Sequence, residues 1–306
     1  MPEVTVGVRL PHAAALDAAL LREFVASVDD TPIERVFVGD HVTFRDGTGF
    51  DGLQFATAVA VASTRLTVQT AVYLLPLRHP VPVARQVSAV AWLAPGRFVF
   101  GVGVGGEDPG EVRACGIDPA TRGRRLDEAL PILRALLDGR AVTEKGTFFD
   151  LAGVTIAPPP PVAVPIVMGG RSEKALRRVG RFGDGWLGVW VSPERFAAAC
   201  DQIAGFARAA GRESAAWMHG LHVWCGFGPD RASARDRLAG EMQDLYGVPF
   251  ERFERYCPYG APEEVADALR PYVAAGCRSV NLIATAASAA DAVAGAEAVR
   301  ALLRAG

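Results

Sequence analysis

Short apolar segments rich in β-branched residues alternate along this chain with longer segments rich in alanine and leucine. The short segments predict eight β-strands, because their length and composition are typical of strands buried on both faces. These strands are 4–9, 35–39, 66–72, 98–104, 165–168, 185–189, 219–227 and 279–284. The longer segments predict helices at 14–28, 52–62, 82–93, 122–137, 173–181, 193–210, 232–242, 263–274 and 289–303.

Strands that alternate with helices predict a parallel sheet with right-handed crossovers, either open and doubly wound or closed into a barrel. Eight such units within 306 residues favour the α/β class and a (β/α)8 TIM barrel. Two segments break the alternation. Residues 143–161 are expected to hold a small hairpin and a proline-rich linker, and 246–259 form an additional aromatic-rich stretch. Both are interpreted as loop insertions in a single domain that covers residues 1–306.

Composition excludes several classes of protein. Half of the residues are hydrophobic and the formal net charge is -2, so a large core is expected and binding to nucleic acid or an anionic membrane is not. The five cysteines are scattered and odd in number, which argues against a disulfide framework and against a metal site. Neither a secretory signal nor a membrane-spanning run is present, so a cytoplasmic protein is expected.

Barrel enzymes carry their chemistry at the C-terminal ends of the strands. Asp40 and His41 directly follow the second predicted strand, where an acid beside an imidazole either caps a turn or presents chemistry. No set of carboxylates and histidines accompanies them at a metal-ligand spacing, so no metal is expected. No serine or cysteine occupies a nucleophile elbow, so hydrolysis is not supported.

Two glycine-rich segments also fall at strand ends. GVGVGG at 101–106 lacks the spacing of a dinucleotide fingerprint, and no helix is predicted directly after it. Its glycines either allow a flat ring or a phosphate to approach, or merely form a tight strand exit. In VMGGRSEKALRR at 167–178, a strand ends in Gly-Gly and a helix begins near Ser172. That arrangement, with Arg171, is either an anion cup or an ordinary cap with a surface arginine.

Four longer motifs occur in one order along most of the chain: VFVGDHV, TAVYLLPLRHPVPVARQVSAVAWLAPGRFVFGVGVGG, PIVMGGRSEKALRRVGRFGDGWL and YGAPEEVADALRPYVAAGCRSVNLI. In these motifs the chain resembles the bacterial luciferase-like monooxygenase superfamily, and most closely its coenzyme F420-dependent oxidoreductases. The resemblance implies a barrel that holds a flavin or deazaflavin in its C-terminal mouth. It also implies an enzyme with a small-molecule substrate, and a homodimer is expected from the resemblance alone.

The resemblance also assigns expected roles to residues. His41 would be the catalytic residue that gives or takes a proton at the reactive ring. The residues expected to bind the cofactor are Asp40, Ala71, Val72, Gly103, Gly169, Gly170, Arg171 and Ser172. Among them, Ala71-Val72 matches the place of a non-proline cis peptide that supports the ring. By position, the residues expected to wall the substrate pocket are His12, Tyr73, Trp190 and His222.

Two activities therefore remain open. The first is hydride transfer between the C5 atom of F420 and a small organic substrate, and the alternative is an FMN-dependent monooxygenase that uses O2. A non-enzymatic binding protein ranks last, because Asp40 and His41 are both retained. The Gly-Asp-His spelling, the scarcity of lysine and a short loop after the fourth strand favour F420. Arginines at the rim are expected to bind its polyglutamate tail, and the candidates are Arg78, Arg113, Arg122, Arg124 and Arg125.

Overall fold

The structure is a computed structural model that describes residues 4–45, 47–105, 108–212 and 216–305. Its strands are β1 (Thr5–Arg9), β2 (Arg35–Val38), β3 (Thr67–Thr70), β4 (Phe98–Val102), β5 (Val142–Lys145), β6 (Asp150–Val154), β7 (Ile166–Gly169), β8 (Gly185–Gly188), β9 (Gly220–Phe227), β10 (Tyr259–Gly260) and β11 (Ser279–Thr285). Its helices are α1 (His12–Ala15), α2 (Ala18–Asp29), α3 (Gly52–Ala62), α4 (Pro80–Leu93), α5 (Pro109–Ala114), α6 (Arg122–Leu137), α7 (Glu173–Phe182), α8 (Pro193–Ala209), α9 (Arg231–Tyr246), α10 (Pro262–Ala274) and α11 (Ala289–Arg304). Each of the eight predicted strands is confirmed within a few residues of its expected ends.

Eight of these strands form a closed parallel barrel. In order around the barrel they are β1, β2, β3, β4, β7, β8, β9 and β11, and β11 pairs with β1 to close the ring. Every pairing between these strands is parallel, so their C-terminal ends meet at one face. The predicted TIM barrel is thus confirmed. This order places β3 opposite β9, and β1 opposite β7.

A short chain of polar side chains crosses the inside of the barrel where the strands begin. Nη1 of Arg35 donates to Oδ1 of Asn281 over 3.1 Å, and Nδ2 of Asn281 donates to Oε1 of Gln69 over 3.2 Å. All three side chains are buried. Gly7 leaves room for them, because a Cβ at this position would lie 3.0 Å from Cβ of Arg35. The base of the barrel is therefore filled with side chains.

The structure differs from the predicted helices at two places. The helix predicted at 14–28 is split into α1 and α2, because the carboxylate of Asp17 caps α2 by accepting from the N–H groups of Ala19 and Leu20. The second difference is α5, which the sequence reading missed. It lies between β4 and α6, and Asp108 caps it by accepting from the N–H of Gly110 over 2.7 Å. Gly106 and Glu107 of the glycine-rich segment lie outside the described residues.

The two segments expected to be insertions have different structures. β5 and β6 form the expected antiparallel hairpin between α6 and β7. The carboxylate of Glu128 on α6 accepts from the N–H groups of Thr147, Phe148 and Phe149 and so holds the hairpin turn. The segment 246–259 folds into two 3-10 turns, which lead to β10 beside β9. Across the described ranges, no helix combines the length and apolar character needed to cross a bilayer.

Candidate active site

A cavity of about 450 Å³ opens at the face where the barrel strands end. Its size falls within the usual range for small-molecule sites. Eleven of the residues singled out from the sequence line it: His12, Asp40, His41, Ala71, Val72, Gly103, Gly169, Gly170, Arg171, Trp190 and His222. Residues that are far apart in the sequence therefore meet at one site.

Two of the expected site residues do not line the cavity. Tyr73 is only 1% exposed, and its ring packs against Phe100 and beneath the guanidinium of Arg78. The backbone explains this burial. The N–H of Tyr73 donates to the carbonyl of Gly101, and Tyr73 pairs in parallel with Val102, so the chain after β3 still runs alongside β4. The expectation that Tyr73 walls the pocket is therefore wrong. Ser172 also lies off the wall, where its hydroxyl accepts from the N–H of Ala175 and caps α7.

His41 is held by a buried carboxylate that the sequence reading did not identify. Nδ1 of His41 lies 3.1 Å from Oε2 of Glu111 on α5, and Glu111 is 2% exposed. The same carboxylate accepts from the N–H of Val42 over 2.6 Å and from the N–H of Thr43 over 3.3 Å. Because an ionised carboxylate only accepts, the proton in this contact is assigned to Nδ1. Nε2 of His41 is then the nitrogen that can exchange a proton with a bound molecule.

The carboxylate of Asp40 is fully occupied by neighbouring donors. It receives two hydrogen bonds from Arg78, over 2.6 and 2.9 Å, and one each from the N–H groups of Gly52 and Leu74. Burial raises the pKa of the Asp40 carboxyl, while Arg78 and the two N–H groups oppose this rise. Asp40 thus ties the end of β2 to α3 and to the segment after β3. Arg78 is engaged in this pair, which corrects the expectation that it is available for a cofactor tail.

One wall of the cavity, at β3, β4 and β7, is formed by small residues and one valine. The expected cis peptide between Ala71 and Val72 is present. The side chain of Val72 fills the space in front of Gly103, where a Cβ would lie 2.4 Å from Cγ2 of the valine. At Gly169 a Cβ would lie 3.6 Å from Val72. Only glycine fits at position 103, and the resulting wall is smooth and apolar.

The loop from Gly169 to Ser172 borders this wall and leads into α7. Gly170 has a φ of 108°, a conformation that glycine adopts readily, and its carbonyl accepts from Nε1 of Trp186 over 2.8 Å. Nη1 of Arg171 donates to the carbonyl of Trp190 over 3.3 Å, and its guanidinium lies 5.6 Å from the ring centre of Trp190. An exposed arginine therefore lies beside a fixed loop and the N-terminus of a helix, an arrangement that favours anions.

The opposite wall, at β9, β11 and β1, is partly aromatic and contains one partly buried cation. It includes Trp224 and Ile283, Phe37 of β2 borders it, and the guanidinium of Arg9 lies 5.1 Å from the ring centre of Trp224. His222 belongs to the same wall, and its Nδ1 is buried with no hydrogen-bond partner in the described chain. Burial first, and the charge of Arg9 second, lower the pKa of His222 to about 4. His222 is therefore neutral at physiological pH.

Trp190 lies at the mouth of the cavity in an unusual backbone conformation. Its φ is 50°, which is rare for a bulky residue and is maintained only where the surroundings impose it. Its ring contacts Tyr246 and Phe253, with ring centres 5.2 and 4.7 Å apart. These aromatic residues come from the predicted insertion at 246–259. That insertion thus forms part of the rim.

The polar groups at the site suit an organic ligand. Among the described residues, no group of three or more His, Cys, Asp and Glu side chains is arranged to hold a metal ion. The polar groups at the cavity are instead an oriented imidazole, a loop suited to an anion, and a partly buried guanidinium. Such a site can bind a flat, partly anionic molecule against the smooth wall and move a proton at His41.

Comparison with known proteins identifies the family. Residues 5–255 match the model of the luciferase-like monooxygenase family. The chain is 32% identical over 189 residues to an F420-dependent glucose-6-phosphate dehydrogenase of Beutenbergia cavernae. The aligned region covers 58% of this chain and 56% of that protein. It is 30% identical over 228 residues to a 4-hydroxyprotoasukamycin monooxygenase of Streptomyces nodosus subsp. asukaensis, covering 72% and 58%.

These matches span less than two thirds of either relative. A solved F420-dependent secondary alcohol dehydrogenase, in complex with an F420-acetone adduct, superposes with a TM-score of 0.86. That comparison covers 99% of both chains at 20% identity, and it supports the fold. From the family match over most of its length, we conclude that the chain belongs to the luciferase-like monooxygenase family and is an enzyme of the oxidoreductase class.

Proposed function

We propose that this enzyme binds coenzyme F420 in the cavity and transfers a hydride between C5 of the deazaflavin and a small organic substrate. The observation that carries the proposal is the pairing of His41 with Glu111 beside a smooth wall of glycine and valine. The relatives named as F420-dependent support the choice of cofactor.

The residues of the cavity fit such a cofactor. The wall at Val72, Gly103 and Gly169 is free of bulky or charged side chains, which suits the face of a flat ring. The loop at Gly170 and Arg171 offers a positive charge and a helix N-terminus to the phosphate of the cofactor. When bound, the deazaflavin supplies the hydride chemistry, and the protein supplies orientation and a dry site.

His41 is proposed to move the proton that accompanies the hydride. With its proton on Nδ1 held by Glu111, neutral His41 accepts at Nε2 the proton that an alcohol loses on oxidation. In the reverse direction, the imidazolium returns this proton to a carbonyl oxygen. Glu111 stabilises the positive charge that forms on the ring, since its carboxylate is buried beside Nδ1.

The alternative is the FMN-dependent monooxygenase, and the relative named a monooxygenase favours it. The same wall, anion loop and histidine would serve that reaction. The two functions differ in which cofactor is retained and in whether the reduced protein consumes O2.

The test is to incubate the protein with F420 or FMN, desalt it, and record the visible spectrum of the protein fraction. Retention of F420, followed by its reduction in air-free solution on addition of an alcohol, is the expected result. Retention of FMN without F420, together with substrate-dependent O2 uptake, would replace hydride transfer with the monooxygenase reaction.

A further inference from the structure

Arg9 is a charged side chain at the cavity whose hydrogen-bonding capacity is unused. It is the last residue of β1 and it lines the wall opposite Gly169. Its side chain is 27% exposed, and within the described part of the chain its guanidinium donates no hydrogen bond of 3.5 Å or less to the protein.

The contacts of Arg9 fix its position but provide no hydrogen-bond acceptor for its guanidinium. Nη2 of Arg9 is 3.7 Å from Oε2 of Glu241 on α9, which is too long for a hydrogen bond. Another contact is the face of Trp224, 5.1 Å from the guanidinium carbon. Burial lowers the pKa of Arg9, although 27% of its side chain remains exposed. A partly buried guanidinium whose N–H groups have no acceptor in the protein is stabilised by a ligand that supplies one.

The surroundings of Arg9 define what that ligand resembles. Phe37, Trp224 and Ile283 offer an apolar and aromatic surface. His222 is neutral, and its buried Nδ1 has no partner in the described chain. Glu241 is 43% exposed at its side chain, so its charge is partly screened by water. The wall therefore combines an apolar surface with one cation that faces the cavity.

We propose that Arg9 anchors a carboxylate on the substrate, so that the enzyme acts on hydroxy or oxo acids with an apolar or aromatic body. A carboxylate matches the planar fork of a guanidinium and accepts two hydrogen bonds from it. The hydroxy or oxo group in this assignment rests on the proposed function. The carboxylate contact at Arg9 does not, since it requires only the wall of β9, β11 and β1.

A matched pair of ligands tests this contact. Mandelate and 1-phenylethanol share a phenyl ring and a secondary hydroxyl, and they differ in a carboxylate against a methyl group. Isothermal titration calorimetry would measure both, with the protein alone and with the protein saturated with F420. We expect mandelate to bind at least about 10-fold more tightly than 1-phenylethanol.

Two variants then separate the anchor from a packing role. Arg9→Met keeps an unbranched apolar side chain and should weaken mandelate by roughly 10- to 100-fold while leaving 1-phenylethanol nearly unchanged. Glu241→Gln removes the competing carboxylate and should tighten mandelate a few-fold, again without an effect on 1-phenylethanol. If Arg9 only supports the fold, Arg9→Met and Glu241→Gln should not change the affinity for mandelate in opposite directions.

The assignment is overturned if wild-type protein does not prefer mandelate, or if Arg9→Met weakens both ligands equally. Thermal unfolding identifies a variant that fails to fold, and in that case Arg9→Lys, which keeps the charge, replaces Arg9→Met. Arg9→Lys should retain part of the preference for mandelate. The protein could bind FMN instead of F420 and still prefer mandelate over 1-phenylethanol in a way that depends on Arg9. That result would contradict the proposed function and support the carboxylate contact at Arg9.

Discussion

Nδ1 of His41 lies 3.1 Å from Oε2 of Glu111, although 70 positions separate the two residues in the sequence. The contact is possible because α5 follows β4, and the loop that contains His41 folds against it. Glu111 also accepts from the N–H groups of Val42 and Thr43, so one carboxylate fixes both the imidazole and its loop. The orientation of the His41 ring therefore depends on a residue from a different barrel unit.

Changing Glu111 tests this dependence. Glu111→Gln should lower kcat by about 10- to 100-fold, because an amide does not stabilise a positive charge on the imidazole. Binding of the cofactor should change little, as measured by fluorescence quenching. His41→Ala should lower kcat by ~10²-fold or more, the effect expected for loss of a general acid or base. A fully active Glu111→Gln variant with a normal pH–rate profile would remove Glu111 from the mechanism.

Asp40 and Arg78 form a second pair, whose role is structural support of the site. Asp40→Asn removes the buried carboxylate that pairs with the guanidinium of Arg78, which is only 18% exposed. Loss of one member of a buried ion pair typically costs ~3–5 kcal/mol, so the free energy of unfolding in urea should fall by that order.

Asp51→Asn is the matched control for Asp40→Asn. Asp51 also contacts Arg78, over 3.3 Å, but its side chain is 37% exposed. Asparagine is also an effective N-cap for α3, so this variant should lose less than ~1 kcal/mol. Equal losses in the two variants would contradict the supporting role given to Asp40.

The position of the site was predictable, because parallel barrel strands bring their C-terminal ends to one face whatever the loops do. That topology is why Asp40, His41 and Gly169 could be placed together from the sequence. Glu111 could not be found in this way. It lies on a helix of six residues that does not directly follow a strand, and its role arises only from the folding of α5 against the loop of His41.

The errors at Tyr73 and Arg78 have a related cause. Tyr73 is expected in the pocket from its position after the third strand, and Arg78 is expected at the rim as a basic residue for the cofactor tail. The backbone of Tyr73 instead bonds to β4, which turns its ring into the core beneath Arg78. Arg9 was assigned only to a strand, because nothing in the sequence shows that its guanidinium would lack acceptors.

Arg171 is expected to bind the phosphate of the cofactor. Arg171→Ala should weaken cofactor binding by ~1–3 kcal/mol, the value of a charge-assisted hydrogen bond, and should nearly preserve the rate at saturating cofactor. The control is Arg177→Ala, since Arg177 is exposed on α7 and pairs with Glu173. A fall in rate without a change in affinity would instead place Arg171 beside the substrate.

Two histidines with lowered pKa values, the buried His219 and the half-buried His222, should make stability depend on pH. Burial lowers the pKa of both His219 and His222 from 6.5 to about 4, so the unfolded chain binds protons before the folded protein does. Their contribution to stability is complete above about pH 6.5, declines as the pH falls towards about 4, and is lost below that value.

Urea unfolding at a series of pH values measures this effect. Between about pH 4 and pH 6.5, His222→Gln should reduce the slope of the unfolding free energy against pH by the amount that corresponds to about one bound proton. An unchanged slope would mean that His222 titrates normally in the folded protein.

The proposed binding of F420 in this cavity can be tested with one substitution at Gly39. Gly39 lines the cavity, and a Cβ at this position would meet no heavy atom within 4 Å. Gly39→Leu therefore places a side chain in the cavity without a clash. Gly240→Leu is the control, since a Cβ at Gly240 also meets no atom within 4 Å but the residue lies on the exposed side of α9.

The decisive measurement is the dissociation constant of F420 and of FMN for the wild type and for these two variants, with thermal unfolding recorded for each. We predict that the wild type binds F420 more tightly than FMN. Gly39→Leu should weaken F420 binding by at least about 10-fold with little change in unfolding temperature, and Gly240→Leu should bind F420 as the wild type does. Unchanged F420 binding by Gly39→Leu, or tight binding of FMN with no measurable binding of F420, would contradict the proposal.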